Sequence, residues 1–290
     1  MKKFVILIPV YNDWDSLIKL LNEINYSIKD IINSEFECLV INDGSNNEIP
    51  EISKPSNIRQ IKVINMRENI GHQRCIAFGI RHVVSKYNFD FLIPMDGDGE
   101  DRPEEIKLLV EKITSENEKS VVAKRFKRSE GFLFQLLYKL HKILTFIFTG
   151  KNINFGNYCC LTKRDTEILH FEPSLWSSFS GSVKKHIKNY SEIKSNRGTR
   201  YFGPSKMSLI KLIIHSFGII AVFKNIVFLR SAILIFAISY FSHNFGFTVI
   251  FCQLFLVIFN LLIFLVSLRE SQKELLNSHK NEMSIFLIKH

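Results

Sequence analysis

The residues of this chain best suited to chemistry form a short acidic turn, Asp96–Asp101, with the sequence DGDGED. Carboxylates at alternating positions offer hard oxygen donors, which suit Mg²⁺ or Mn²⁺. A calcium EF-hand is excluded, because its sixth position requires glycine and here holds Asp101, and its twelfth requires glutamate and here holds Lys107. The candidate metal ligands are Asp96, Asp98 and Glu100. Asp101 is predicted to cap the helix that starts at Pro103, and the alternative for Asp96 and Asp98 is a solvated acidic turn that caps this helix.

A metal ion at this turn would act on phosphate groups. Magnesium sites usually have few protein ligands, and the ion binds mainly substrate phosphates, so a diphosphate leaving group is the expected partner. The sequence contains no Walker loop and no Gly-x-Gly-x-x-Gly motif. ATP hydrolysis and dinucleotide redox chemistry are therefore disfavoured.

The elements that position this turn follow an alternating pattern. Strands are predicted at Phe4–Val10, Glu37–Asn42, Gln60–Asn65, Phe89–Met95 and Ser120–Ala123, and helices at Trp14–Ile24, Gly71–Ser85 and Pro103–Ile113. This alternation predicts an α/β fold with a mostly parallel, Rossmann-like sheet flanked by helices. The acidic turn and two further polar motifs, Pro9–Asp13 and Asn42–Ser45, follow strands. They are expected to meet at the carboxyl edge of the sheet, where such folds bind ligands.

The charge of the chain is unevenly distributed. The 290 residues carry a net charge of +10, and the surplus lies in two segments: Lys119–Lys151, with eight Lys or Arg and one acid, and Gly181–Arg230, with ten and one. Such a balance fits nucleic acid, an anionic membrane or a phosphorylated substrate. The acidic strand ends argue against nucleic acid. Five cysteines without metal-ligand spacing indicate reduced thiols in a cytosolic compartment.

The C-terminal third is apolar. No Asp, Glu, Lys or Arg occurs from Ser231 to Leu268, a stretch long enough for two membrane crossings, predicted at Ile226–Phe241 and Phe245–Leu268 with a break at 242–244. A buried hairpin in a soluble core is the alternative. Flanking cations place the N-terminal domain and the tail in the cytoplasm, as a multi-pass protein of the cytoplasmic membrane. Two amphipathic stretches, residues 131–149 and 206–224, are expected to lie on the membrane surface.

Four motifs in order, PVYND, INDGSNN, NIGHQRCIAFGI and PMDGDGEDRPE, resemble the inverting family 2 glycosyltransferases of the GT-A type. The acidic turn and the segment from Arg200 to Lys206 resemble the polyprenyl-phosphate sugar transferases, such as dolichyl-phosphate mannose synthase. The chain departs from these patterns at Asp13, where glutamate is usual, at Glu100, where glutamine is usual, and at Arg102, where proline is usual.

The resemblance implies roles for individual residues. Nucleotide binding is expected from Pro9, Tyr11, Asp13, Asp43, Arg67, Asn69 and Gly71. Asp96 and Asp98 are the expected catalytic residues, and they share the metal with Glu100. The acceptor phosphate is expected to bind Arg125, Arg128, Arg200 and Lys206, whereas His215 and Lys211 are expected to touch lipid headgroups.

The resemblance also implies a domain order and an activity. Residues 1–205 are the expected glycosyltransferase domain, 206–225 a juxtamembrane helix, 226–268 a transmembrane hairpin and 269–290 a short helical tail. The expected reaction moves a sugar from a nucleotide-diphosphate sugar to a polyprenyl phosphate in cell-envelope glycan synthesis. Transfer to a hydroxyl of a glycan or lipid intermediate is an alternative, and a catalytically inactive membrane scaffold is a second. Homo-oligomerisation is left open.

Overall fold

The computed structural model describes residues 1–116, 119–127, 132–204, 208–241 and 246–288. The strands are β1 (Lys2–Val10), β2 (Ser34–Asn42), β3 (Gln60–Met66), β4 (Phe91–Pro94), β5 (Val121–Lys127), β6 (Phe155–Thr162), β7 (Ser191–Asn196) and β8 (Glu282–Ile288). The helices are α1 (Trp14–Ile28), α2 (His72–Lys86), α3 (Ile106–Ser115), α4 (Phe132–Thr149), α5 (Lys163–Leu169), α6 (Phe179–His186), α7 (Leu209–Ala221), α8 (Lys224–Phe241), α9 (Gly246–Ser267) and α10 (Gln272–Asn277).

The described strands form one mixed sheet in the order β7-β5-β6-β4-β1-β2-β3-β8. Its centre is parallel, because β1 pairs in parallel with both β2 and β4, and β2 pairs in parallel with β3. β1 is buried from Phe4 to Val10, as expected for a strand covered by helices on both faces. The alternating pattern of the sequence is thereby confirmed, and its five strands and three helices all form.

The tail differs from its prediction as a short helix. After α10 the chain forms β8, which pairs antiparallel with β3 and completes one edge of the sheet. Phe286 and Ile288 pack into the core on one face, whereas Met283, Ile285 and Leu287 are exposed on the other. This alternation is typical of an edge strand, but its partner β3 lies more than 200 residues earlier in the chain.

The helices α7, α8 and α9 pack beside this domain, and α4 packs against them through the Phe148 and Phe259 rings, whose centroids are 4.3 Å apart. Many of their large apolar side chains face outward, including Phe236, Phe247 and Phe251, with exposed fractions of 73%, 91% and 72%. A continuous apolar exterior of this kind is not expected on a surface that faces water.

Only part of the predicted hairpin is clear from helix length and composition. Within the described part of the chain, one helix, which begins at Gly246, is long and apolar enough to cross a membrane, and 17% of its most apolar window is buried. α7 and α8 pass the same test only together, as a pair bent by 86°. The predicted break at 242–244 lies outside the described residues.

Arg230, near the start of α8, binds the end of α4. Its guanidinium donates to the carbonyl oxygens of Ile147 at 2.9 Å and of Phe146 at 3.4 Å. Both carbonyls are in the last turn of α4, where carbonyl oxygens have few helical partners, and that of Phe146 also accepts the N–H of Gly150 at 2.8 Å. The arginine therefore fixes α8 to α4.

Candidate functional site

Three polar motifs meet at the carboxyl ends of adjacent parallel strands. β1, β2 and β4 end at Val10, Asn42 and Pro94, and the chain continues into the predicted polar segments. The acidic turn lies directly on the end of β1, since a Cβ at Gly97 would be 3.0 Å from the carbonyl oxygen of Pro9. The predicted meeting of these motifs at one sheet edge is therefore present.

At the end of β2, Asp43 is buried and bound to backbone. Its carboxylate accepts the N–H of Ile70 at 2.7 Å and the N–H of Gly71 at 3.1 and 3.3 Å. Burial raises the pKa of Asp43, and its hydrogen bonds with Cys75, Ile70 and Gly71 oppose that rise. In this arrangement Asp43 positions the segment Arg67–Gly71, and its contact with a nucleotide base stays a prediction.

The segment Arg67–Gly71 is also held by the end of the chain. The N–H of Arg67 donates to the carbonyl of Asn281 at 2.9 Å, and its Nε donates to the carbonyl of Glu282 at 3.4 Å. Asn65 donates to the Ser284 hydroxyl at 2.9 Å. Arg67 and Asn69 are exposed at this edge, and Tyr11, which directly follows β1, has 37% of its surface exposed.

Asp96 is paired with residues that the sequence analysis left without a role. Its Oδ1 lies 3.1 Å from His72 Nε2 and accepts from Asn157 Nδ2 at 3.2 Å. Burial opposes ionisation of Asp96, but His72, Arg125 and Asn157 outweigh it and hold the pKa well below its usual range. His72 opens α2 at the same sheet edge as the acids, and that position in the GHQR motif was the available signal.

Asp98 is bound by Arg200, from a loop about a hundred residues later. Arg200 Nη1 lies 2.6 Å from Asp98 Oδ2, and Arg200 Nη2 pairs with Asp13. The second Asp98 oxygen accepts the N–H of Glu100 at 3.1 Å. Burial and the negative charge of Asp96 raise the pKa of Asp98 to about 6, in spite of the nearby arginines. Burial, with the charge of Asp96, therefore makes the ionised form of Asp98 less stable than it is in water, and Arg200 offsets part of this cost.

The other two acids of the turn have further partners. Glu100 pairs with Arg197, and Asp101 accepts the N–H of Asp96 at 2.9 Å. Burial, with the charge of Asp96, raises the pKa of Asp101 to about 8. The prediction that Asp101 caps the next helix is wrong: within the described residues, no side chain caps the 3₁₀ turn Pro103–Glu105, and Asp101 closes the acidic turn instead.

The three predicted metal ligands do not point to one centre. Asp96 faces His72, Asp98 faces Arg200 and Glu100 faces Arg197. Among the described residues, no three His, Cys, Asp or Glu side chains are arranged to hold a metal ion. The shared ligand set predicted from the sequence is thus not formed in this arrangement, because each acid has its own cationic partner. Metal binding by any of them stays a prediction.

The side of the site toward α4 and α7 is basic. The Arg125 guanidinium lies against Gly156, and its charge acts on Asp96 and Asp101. His215 of α7 lies within electrostatic range of Asp96, so it is close to the acidic edge as well as on the predicted membrane face. Of the other predicted acceptor residues, Arg200 binds the acids, and Arg128 and Lys206 lie outside the described residues.

Comparison with known structures gives the same fold. Glucosyl-3-phosphoglycerate synthase from Mycobacterium tuberculosis, solved with Mn²⁺, UDP-glucose and phosphoglyceric acid, matches with a TM-score of 0.54 and 13% identity over 78% of this chain and 80% of that one. The complex of that enzyme with Mn²⁺, UDP and glucosyl-3-phosphoglycerate gives 0.53 and 14% over the same shares. S. aureus TarS 1–349 gives 0.46 and 13% over 84% of this chain and 73% of that one.

The sequence itself matches the family Glycosyl transferase family 2 over residues 5–169. This match covers more than half of the chain and spans β1 to α5, including all three acidic strand ends. The sheet with its flanking helices is the GT-A fold of that family. The protein is therefore a member of glycosyl transferase family 2 and a glycosyltransferase.

Proposed function

We propose that this enzyme transfers a sugar from a nucleotide-diphosphate sugar to a polyprenyl phosphate at the cytoplasmic face of a membrane, in cell-envelope glycan synthesis. One observation carries the proposal: the exposed apolar side chains of α4 and α7 continue onto the outward face of α9, and α7 carries His215, which lies within electrostatic range of Asp96 at the acidic sheet edge. A soluble acceptor would not require this continuity.

The donor would bind across the ends of β1 and β2. Pro9 lies near the end of β1, beside the acidic turn. Tyr11 is partly exposed, so a base can stack on its ring. The segment Arg67–Gly71, held in place by Asp43, would close the other side. The glucosyl-3-phosphoglycerate synthase structures were solved with UDP or UDP-glucose, which supports a nucleotide-sugar donor here.

A divalent ion fits this site best at Asp98. The negative charge of Asp96 acts on the Asp98 carboxylate, and the partner of Asp98, Arg200, is a side-chain cation that an ion can replace. Asp96 and Glu100 would keep His72 and Arg197, and the donor diphosphate would supply further ligands. When bound, Mg²⁺ or Mn²⁺ would neutralise charge on the departing nucleoside diphosphate. The glucosyl-3-phosphoglycerate synthase complexes contain Mn²⁺, which supports this choice of ion.

The acceptor would approach from the basic side. A lipid phosphate is ionised at neutral pH, so its oxygen can attack the anomeric carbon without a strong general base, and the nucleoside diphosphate leaves with inversion. Among the predicted acceptor residues that the structure describes, Arg125 would orient that phosphate. Its charge acts on Asp96 and also on His215 of α7. Asn157 and His72 hold Asp96 ionised beside the sugar position.

In the membrane, α8 and α9 would form a hairpin, so that the chain enters and leaves the bilayer on the same side. β8 follows α9 in the chain, yet it pairs with β3, which precedes α8. Both ends of the α8–α9 pair are therefore attached to one domain. At 18 and 22 residues, the two helices are about 27 and 33 Å long, close to the bilayer core of about 30 Å.

Sugar transfer by purified full-length protein in lipid nanodiscs tests the proposal. Labelled UDP- and GDP-sugars would be offered with Mn²⁺ and either a polyprenyl phosphate or a lipid-linked glycan with a free hydroxyl. We expect an acid-labile, labelled lipid phosphate, which Asp98→Asn does not make. Transfer only to the hydroxyl acceptor would replace the proposed substrate, and transfer to neither acceptor from any donor would favour an inactive scaffold.

A further inference from the structure

We infer that Arg200 is an internal counter-cation of the donor site, which must release Asp98 before a divalent ion can bind there. The inference rests on the proposed function, since it takes Asp98 as the position of the ion. It assigns Arg200 a role at the donor edge, where the sequence had predicted contact with the acceptor phosphate.

The guanidinium of Arg200 is fully engaged at the acidic edge. Nη1 binds Asp98 at 2.6 Å, Nη2 binds Asp13, and Nε donates to the carbonyl of Phe202 at 3.0 Å. Its side chain is 16% exposed, and those of Asp13 and Asp98 are similarly shielded. Arg200 therefore joins the end of β1 to the turn after β4, where a cation balances both acids.

The loop that carries Arg200 is anchored independently of that side chain. We call residues Arg197–Phe202 the strap. The N–H of Gly198 donates to the carbonyl of Glu100 at 2.8 Å, and the N–H of Tyr201 donates to the carbonyl of Asp98 at 2.9 Å. The Tyr201 hydroxyl also binds Glu23. The strap thus has backbone and side-chain attachments that survive substitution of Arg200.

Tyr201 sits on Gly99, whose φ of +87° and missing Cβ allow the ring to approach the turn. Lys19 lies over the same ring, with Nζ 4.4 Å from its centroid. Since the ring and backbone fix the strap, the Arg200 side chain can move alone. Release of Asp98 does not require the strap to unfold.

Electrostatics favours exchange over coexistence. A divalent ion bound to Asp98 would lie next to the guanidinium that now binds the same carboxylate, and like charges at that separation repel strongly in a shielded site. The diphosphate of the donor brings new negative charge, and a guanidinium binds phosphate oxygens in a bidentate manner. Arg200 would therefore pass from Asp98 to a phosphate when ion and donor bind together.

This exchange predicts a measurable coupling. The ion alone must displace Arg200 without compensation, whereas the ion with a nucleoside diphosphate offers Arg200 a new partner. Mn²⁺ should therefore bind the wild-type protein weakly alone and more tightly with UDP or GDP. Removing the guanidinium should tighten binding of Mn²⁺ alone and reduce the gain from the nucleotide.

The test is Mn²⁺ titration followed by electron paramagnetic resonance, on full-length protein in nanodiscs, for wild type, Arg200→Gln and Arg102→Gln. Arg102 is the matched control, because it directly follows the same turn but pairs with Glu104. We expect Arg200→Gln to bind Mn²⁺ roughly fivefold or more tightly, the lower range of coupling between sites, and Arg102→Gln to bind as wild type does.

Unchanged or weaker Mn²⁺ binding by Arg200→Gln would overturn the inference and leave the proposed sugar transfer intact. An equal gain in Mn²⁺ affinity for Arg102→Gln would also overturn it, because the gain would then come from the loss of any positive charge near the site. Mn²⁺ binding to none of these proteins, with or without nucleotide, would contradict the metal site of the proposed function as well. Should Arg200→Gln fail to fold, Arg200→Lys takes its place, because lysine keeps a charge that reaches one acid. The Mn²⁺ affinity of Arg200→Lys should then lie between that of wild type and the roughly fivefold tighter binding expected of Arg200→Gln.

Discussion

Asp43 and Asp98 occupy similar places and have different partners. Each follows a parallel strand of the same sheet edge, and each carboxylate is shielded from water. Asp43 accepts backbone N–H groups of Ile70 and Gly71, whereas Asp98 binds the side chain of Arg200. A backbone partner cannot leave without rearranging the chain, but a side-chain cation can be exchanged. The difference separates a carboxylate that builds the site from one that is available to a ligand.

The electrostatic surroundings agree with this division. Burial raises the pKa of both carboxyl groups. The backbone N–H groups oppose this rise at Asp43, whereas at Asp98 the charge of Asp96 adds to it and Arg200 and Arg197 oppose it. Asp98 is thus an acid held next to another acid, an arrangement that favours binding of a cation over stability of the empty site.

The largest expected effect is that of Asp98→Asn on catalysis. Loss of the ion's ligand should lower the rate of transfer by roughly a hundredfold or more, because charge neutralisation of the leaving group is worth several kcal/mol. The melting temperature at pH 8 should stay equal or rise, since the variant no longer buries a charge or repels Asp96, and these gains offset the lost pair with Arg200. Activity assays and thermal unfolding check both. Retained activity with a large loss of stability would reverse the assignment.

The next effect concerns Asp43→Ala, which should act mainly on stability. Two partly buried N–H groups would lose their acceptor, at a cost of about 1–3 kcal/mol in the free energy of unfolding. Thermal unfolding should show a lower melting temperature, and Mn²⁺ binding without nucleotide should be unchanged. Asp43→Asn keeps one oxygen acceptor and should lose less. An unaltered melting temperature for the alanine variant would refute the structural role of Asp43.

Two glycines form a matched pair, since Gly71 binds Asp43 and Gly99 directly follows Asp98. Gly71 and Gly99 both have positive φ, +93° and +87°, so alanine should be strained at each, by roughly 1–3 kcal/mol. A Cβ at Gly71 meets no described atom within 4 Å, whereas a Cβ at Gly99 overlaps the Tyr201 ring. Gly99→Ala should therefore melt lower than Gly71→Ala. Equal melting temperatures would show that the ring does not rest on the turn.

The smallest expected effect is a pH dependence at His82, on the α2 face that meets β8. Burial, with Lys62 and Lys86, lowers the pKa of His82 to about 4, and Glu282 lies 3.8 Å away. Because the unfolded chain binds a proton near pH 6.5 and the folded one near pH 4, stability should fall as pH drops through that window.

Replacing this histidine isolates its share of the acid sensitivity. Melting temperatures measured from pH 7 to pH 4 should fall less for His82→Phe than for wild type, by a few °C. An identical slope in the two proteins would assign the whole acid sensitivity to other groups.

Much of this arrangement follows from local sequence. Apolar runs such as Phe4–Val10 and the helical periodicity of Trp14–Ile24 predict the central sheet and its cover, and the order of strands brings their polar ends together. The side-chain pairings do not follow, since Arg200 and Asp98 are 102 positions apart and carry no shared local pattern. A cluster of acids predicts a cation, but it does not reveal whether the protein itself supplies one.

The same limit applies to the tail and to His215. β8 has the alternation of an edge strand, yet only the free edge of β3 decides that it pairs there. His215 lies on an amphipathic helix, which predicts a membrane surface, and only the packing of α7 brings it near Asp96. The pairing of β8 and the position of His215 are therefore decided by packing between distant parts of the chain.

Anomalous diffraction from crystals of the full-length protein grown with Mn²⁺ and a nucleoside diphosphate tests most directly whether Asp98 exchanges its partner and Asp43 does not. We predict a manganese peak at the Asp98 carboxylate, with Arg200 moved to the diphosphate and Asp43 still accepting the N–H groups of Ile70 and Gly71. A manganese ion bound elsewhere while Arg200 still pairs with Asp98, or an Asp43 carboxylate turned to the metal, would contradict this division of roles.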